Sequence, residues 1–380
     1  MNDWRHSSRA GSLFVLCIVM MCLFAACSLR EARPDWIDGT SVGYPASQYL
    51  VGVGQSERRT GAEEQAYAAL SKIFKAEIVA RSKDWESYLV VENRSHASAE
   101  RRLTLDSVTQ VSTDKVLENV RILDVWFDQK KGQYYALAGM DKGQAESAML
   151  DRISELDHSI ETHMTEAREA RDKLSRVRNL KRAAKNLVVR DAYNTDLRVL
   201  RGSGQGNPSL YRIVDVTNEL EGFLSANLAI AVDLSGDQVD AVRRALIEGL
   251  TREGFSIAGP TSTDGAIHPD KPRAELMVTG TVRLWPLDVR DPQFKYVRWC
   301  SDAVIEDLST QRIVGAVSKG GREGHLTDQE ATAKAVRVMQ HEFSSDIARA
   351  IAGYVYGESE PPAAIGTPKG CPRDERVPKP

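Results

Sequence analysis

The stretch GQAESAMLDRISELDHSIETHMTEAREARDKLSRVRNLKRAAKNLVVRDAYNTDLRVLRG, residues 143 to 202, begins at one glycine, reaches the next only at its last position, and contains no proline. It is dense in Ala, Leu, Glu, Lys and Arg, the residues that lose least on entering a helix, so it reads as helical for most of its length. Ile153, Leu156, Ile160, His163, Ala167, Ala170, Leu174 and Val177 follow a 3-4 spacing, and Leu180, Ala184 and Leu187 continue it in a shifted frame. The shift near Arg178 and Asn179 marks either a stutter in one long helix, as in a coiled coil, or the bend of a helical hairpin. A single rod would run on the order of 85 Å at ~1.5 Å per residue, which favours the hairpin. Residues 141–166 hold seven acids and two bases, residues 168–201 four acids and eleven bases. A hairpin sets these halves face to face and a rod matches them to its macrodipole, so a structural account suffices. The functional alternative is a basic face that meets acidic headgroups or another anionic envelope polymer.

On the N-terminal side, Tyr49-Leu50-Val51-Gly52-Val53-Gly54 reads as a strand, and Thr60 with Glu63 as a capping-box helix start. Ala66, Leu70, Ile73, Phe74 and Ile78 continue that helix. Residues 120–127 and 134–138 flank the polar turn DQKKGQ as a hairpin. On the C-terminal side, the loop GSGQGNP (202–208) precedes a strand with Leu228, Ile230, Val232 and Leu234. A helix with Val239, Val242, Leu246 and Leu250 on one face follows, closed by Gly254. Strands are expected at 275–284, 296–308 and 312–318. A last helix, capped by Thr327 and Glu330, carries Ala331, Ala335, Val338, Met339, Ile347 and Ile351. The expected fold class is α+β: a small N-terminal α+β domain (33–140), a central helical hairpin or coiled coil (143–201), and a C-terminal two-layer α/β domain (223–357). The proline-rich tail 358–380 is expected to be disordered.

Leu13 to Ala26 are fourteen uncharged residues behind Arg5 and Arg9 and directly before Cys27. Crossing a bilayer core takes about 20 apolar residues, so the segment reads as a cleaved signal peptide, residues 1–26. Ala25-Ala26-Cys27 resembles a bacterial lipoprotein lipobox, although Phe24 stands where leucine is usual. The resemblance implies cleavage between Ala26 and Cys27, acylation of Cys27, and, with Ser28 rather than aspartate next, delivery to the outer membrane. Residues 27–48 would then be anchor and tether. An uncleaved signal anchor is the alternative. Of five cysteines, Cys300 and Cys371 remain as thiols in an oxidising compartment, where a disulfide between them and two separate thiols are both open.

A net charge of -3 gives no basic surplus for nucleic acid. Gly52 and Gly54 lack the third glycine of GxGxxG, since Glu57 occupies its place, and they read as positions of close packing or a turn. None of the seven histidines falls in a metal-ligand array; His158 and His163 are off one helical face, and His325 and His341 suit ordinary polar roles. No serine sits in GxSxG, and Asp302, Glu306 and Asp307 read as a solvated strand face or hairpin end. The expectation is therefore a binding or structural protein, with no catalytic residue, cofactor or metal.

PDWI at 34–37, YPASQYLVGVGQS at 44–56, AEEQAYAALSKIF at 62–74 and YYALAGMDK at 134–142 resemble the LPP-twenty lipoprotein family, which includes the flagellar lipoprotein FlgP, and the similar N-terminal domain of FlgT. The resemblance implies structural work in the envelope, such as rings or scaffolds around large machines, with other envelope proteins and further copies of the chain as partners. The C-terminal order of elements is similar to the CsgG/LpoB-like domain, which implies as a second reading a periplasmic regulator of a peptidoglycan synthase or a secretion-associated lipoprotein. An unrecognised hydrolase is the third. Whether the body faces the periplasm or the surface stays open.

Overall fold

A computed structural model of the chain describes residues 32–39, 41–85, 88, 108, 110, 118–259, 274–289 and 293–358. The segment expected as a leader, with Ala26, Cys27 and Cys371, lies outside the described residues. Two units are present, Met1–Leu70 with Val120–Asp141, and Ser71–Asn119 with Lys142–Pro380. No helix among the described residues is long and apolar enough to cross a membrane.

The first unit is built on an antiparallel sheet of β1 (Tyr49–Ser56), β2 (Val120–Asp128) and β3 (Gln133–Asp141) in the order β1-β3-β2. The central strand β3 is buried from Tyr135 to Met140, as a strand covered on both faces must be. Helix α1 (Arg59–Arg81) places Ala62, Ala66 and Leu70 in the core. A Cβ added at Gly54 would stand 2.1 Å from the Ala62 carbonyl oxygen, and one at Gly52 2.7 Å from that of Ala66. The VGVG run is thus a seat for helix backbone, with a glycine at each position that faces α1. Elsewhere in the unit Trp36 packs with Tyr135 and Leu137, and its indole N–H donates to Asp124 Oδ2 at 2.8 Å. The capping box expected at Thr60 is not formed: α1 starts one residue earlier, and Glu63 instead pairs with Arg59 Nε at 2.9 Å.

In the second unit, α2 (Lys142–Glu169) and α3 (Lys173–Leu200) form the hairpin. Its bend lies at residues 170–172 and not near Arg178: Asp172 caps α3 by accepting from the Ser175 N–H at 2.7 Å. The bend takes up about one helical turn, so the apolar phase passes through it unbroken. The frame shift inside α3 has another cause. Val177, Asn179, Leu180, Lys181, Ala183 and Ala184 are all buried, because α3 meets α2, α4 and α6 on different sides. In α2 it is Met164, not His163, that enters the core.

Helix α4 (Ile213–Asn227) has no counterpart in the sequence reading. Thr217, Asn218, Gly222, Ser225 and Asn227 depress its helical propensity, while Val216, Leu220 and Leu224 supply the buried stripe. Then come β4 (Ala229–Gly236), α5 (Val239–Arg252), β5 (Ser256–Ile257), β6 (Ala274–Leu287), β7 (Lys295–Asp307), β8 (Arg312–His325) and α6 (Asp328–Tyr356). The sheet order is β5-β4-β6-β7-β8, with β4 parallel to β5 and β6, and β6-β7-β8 an antiparallel meander. Val297, Trp299, Ala303 and Ile305 of β7 join Met339, Phe343, Ile347 and Ile351 of α6 and Val242, Leu246 and Leu250 of α5 in one core. β8 runs seven residues past Ser318 because rings on β7 cover its glycines; a Cβ at Gly324 would stand 2.6 Å from Tyr296 Cε1, and one at Gly321 2.7 Å from Trp299 Nε1.

Thr327 caps α6, accepting from the Glu330 N–H at 3.2 Å, while the Glu330 carboxylate takes the Thr327 hydroxyl and lies 2.7 Å from His325 Nδ1. The far end of α6 is clamped. Gly357 takes the left-handed conformation (φ +71°), Arg178 donates to the Tyr354 carbonyl at 2.8 Å, and Lys181 pairs with Glu358.

Candidate binding groove

Leu187, Arg190, Asp191, Asn194 and Arg198 recur at spacings of three and four along α3, which sets them on one face. The loop after α3, from Gly204 to Arg212, and the start of α4 face them across a groove of about 890 Å³. Arg190, only 1% exposed, anchors the loop: its guanidinium donates to both oxygens of Asp157 on α2 (2.6 and 3.1 Å) and to the carbonyls of Asn207 (3.1 Å) and Pro208 (2.8 Å). Asn194 Oδ1 accepts from the Asn207 N–H at 2.6 Å. A Cβ at Gly206 would lie 2.5 Å from that same oxygen and 2.8 Å from Arg198 Nε, so the loop backbone rests directly on α3.

The groove wall has a fixed electrostatic layout. Arg190 is neutralised by Asp157, and Arg212 by a bidentate contact with Asp215 at 2.7 Å. Asp191 accepts from the Trp85 indole N–H at 2.8 Å. Arg198 has no carboxylate partner among the described residues and lies half-buried in the wall. Val214, 46% exposed, lines the same groove together with Leu187, Tyr211 and Ile213. A guanidinium donor among apolar side chains suits a carboxylate on a peptide segment with aliphatic residues. The sequence reading did not mark this site. Its signal was the polar series Arg190, Asp191, Asn194, Arg198 at three- and four-residue spacing, followed by the glycine-rich loop.

The expected site residues are scattered. Cys300 is half-buried on β7; its pairing with Cys371 lies outside the described residues. Acylation of Cys27 and cleavage after Ala26 lie there too. His158 is exposed, His163 stands 3.6 Å from Glu166, and His341 lines a smaller pocket of about 370 Å³ between α5 and α6. Among the described residues no three His, Cys, Asp or Glu side chains gather as a metal site. Asp307 does end a hairpin, as expected, but it is 2% exposed rather than solvated. Burial pushes its carboxyl up, and hydrogen bonds from Ser309, Tyr354 and the backbone of 309 and 310 outweigh this and hold it below the usual value. Burial, together with that hydrogen bond of 2.7 Å to Asp307, pushes the Tyr354 phenol up to about 12.

Residues 34–141 match the family model described as LPP20 lipoprotein. The match spans the first sheet and its helix, and it is to the LPP-twenty family whose resemblance the sequence carries there. No curated protein sequence matches the chain. Among solved structures, a secreted protein from Helicobacter pylori is 13% identical, covering 80% of this chain and 97% of its own, with a TM-score of 0.37. A minor lipoprotein from Acinetobacter baumannii is 15% identical over 34% of this chain and 94% of its own, with a TM-score of 0.25. Rare lipoprotein B from Shewanella oneidensis is 12% identical over 34% and 96%, with a TM-score of 0.22. No residue role follows from likenesses of this size.

Proposed function

We propose that the chain is an outer-membrane lipoprotein, acylated at Cys27, that binds other envelope proteins and further copies of itself and performs no catalysis. The observation that carries the binding role is the groove between α3 and the loop 204–212, where Arg198, without a carboxylate partner among the described residues, shares the lining with exposed Val214. The acidic-apolar segment of a partner fills it, while Cys27 confines the search to the membrane surface and raises the effective concentration. A flagellar ring component is the partner that the LPP-twenty resemblance favours.

A photo-crosslinker at position 214, activated in intact envelopes of wild type, Arg198→Glu and Cys27→Ala strains, tests both halves. The expected result is a specific envelope protein captured in wild type, lost in Arg198→Glu, and diminished in Cys27→Ala, whose chain also leaves the detergent phase. Unchanged capture in Arg198→Glu overturns the groove. Unchanged detergent partitioning of Cys27→Ala overturns the anchor. Capture of a wall synthase in place of a flagellar component would favour the regulator reading.

A further inference from the structure

The end of the C-terminal sheet remote from Asp307 carries a pattern that neither the core nor the groove requires. Trp285, Arg298 and Arg322 stand in register across β6, β7 and β8. Arg298 alternates with buried Val297 and Trp299, so this row lies on the face away from α6. Arg298 and Arg322 are exposed and directly opposite each other, a like-charge arrangement that costs stability unless an anion intervenes. Neither has a carboxylate partner among the described residues. Each is held instead over a ring, Arg298 at 6.0 Å from Trp285 and Arg322 at 5.2 Å from Tyr296. The nearby acids are engaged or few: Glu323 pairs with Lys334 at 3.1 Å, Glu330 lies on His325, and Asp288 is exposed.

Three of the large exposed apolar side chains collect at the same rim, Val289 (39%), Phe294 (40%) and Leu326 (63%). They follow or precede the strand ends that Leu287, Lys295 and His325 close, and Lys295 is opposite His325 in the ladder. A soluble anion would be held by the arginines alone and gives these aliphatic and aromatic tips nothing to contact. A phospholipid surface accommodates both. Guanidinium groups bind phosphates in bidentate geometry, aromatic rings settle at the headgroup level, and apolar tips reach the acyl boundary.

We propose that this rim, with Arg298 and Arg322 behind Val289, Phe294 and Leu326, is a second membrane contact that seats on an anionic phospholipid surface. It needs an envelope location and is independent of the groove and of acylation. The test uses the whole chain from residue 27 with Cys27→Ala, which carries no lipid, and sedimentation with vesicles. Binding is expected to vesicles containing phosphatidylglycerol, to be absent with pure phosphatidylcholine, and to weaken as salt rises. The Arg298→Ala/Arg322→Ala pair should weaken it roughly thirtyfold. Arg182→Ala/Lys185→Ala, the same charge loss at exposed positions of α3, should leave it unchanged, and melting curves verify that every variant is folded. A Leu326→Ser variant should also weaken binding, which separates a membrane from an anion site. Binding that survives the double arginine change, occurs equally on neutral vesicles, is insensitive to Leu326→Ser, or is absent altogether overturns the proposal. All these outcomes leave the Cys27 and crosslinking results untouched.

Discussion

At the scale of single residues, Arg190 shows how charge and backbone are settled together. Its guanidinium is taken from water and meets one carboxylate and two carbonyls, so it holds both the hairpin and the loop over the groove. Removing Asp157 leaves that buried cation uncompensated, and Asp157→Ala is expected to cost about 3 kcal/mol, read from denaturant midpoints at constant slope. Tyr354 and Asp307 make a second such contact with a pH signature. A phenol whose folded value is raised from 10.0 to about 12 adds stability that is complete below pH 10 and lost as pH rises toward 12. Tyr354→Phe is therefore expected to flatten the alkaline fall in unfolding free energy, and a wild-type curve already flat across that window would refute the assignment. Asp307, held low, works in the opposite direction: its contribution is present above pH 3.8 and is lost as pH falls through the lower folded value. The sequence left Asp307 on a solvated strand face or at a hairpin end; the tyrosine bonded to it comes from forty-seven residues away, and no local pattern announces it.

At the scale of elements, local chemistry was legible wherever one element faced one neighbour. α5, with a single apolar stripe ending at Gly254, and the hairpin of β2 and β3 follow from periodicity and turn residues. α3 did not, because it is packed on several sides and its buried set includes Asn179, Lys181, Arg190, Asn194, Thr195 and Asp196. A helix with buried positions on several sides has no single stripe to read. The glycines of β1 were legible as positions of close packing or a turn, and the structure supplies the object packed against them. Gly54→Ala pushes a methyl into the backbone of α1 at Ala62 and Ala66, and a loss of about 2–3 kcal/mol is expected in thermal or denaturant unfolding, with strand and helix separating together. An unchanged melting temperature would mean that α1 can retreat at no cost.

At the scale of the whole molecule, one end of the chain speaks in a different way from the rest. A leader and its cysteine would be addresses read by enzymes from a short linear segment, so the expectation for Leu13 to Cys27 needs no fold. The α+β class was equally accessible, since alternation and helical spacing are local properties and survive without knowledge of partners. Residues 34–141 carry enough local words to match an LPP20 lipoprotein model. What tertiary structure alone decided is where side chains from separate segments converge: Arg198 with Val214 at the groove, and Trp285 with Arg298 and Arg322 on the sheet. The reason is physical. Secondary structure is set by interactions a few residues apart, whereas these sites depend on strand register and on the way α3 lies under its following loop, which are fixed by burial across the whole core.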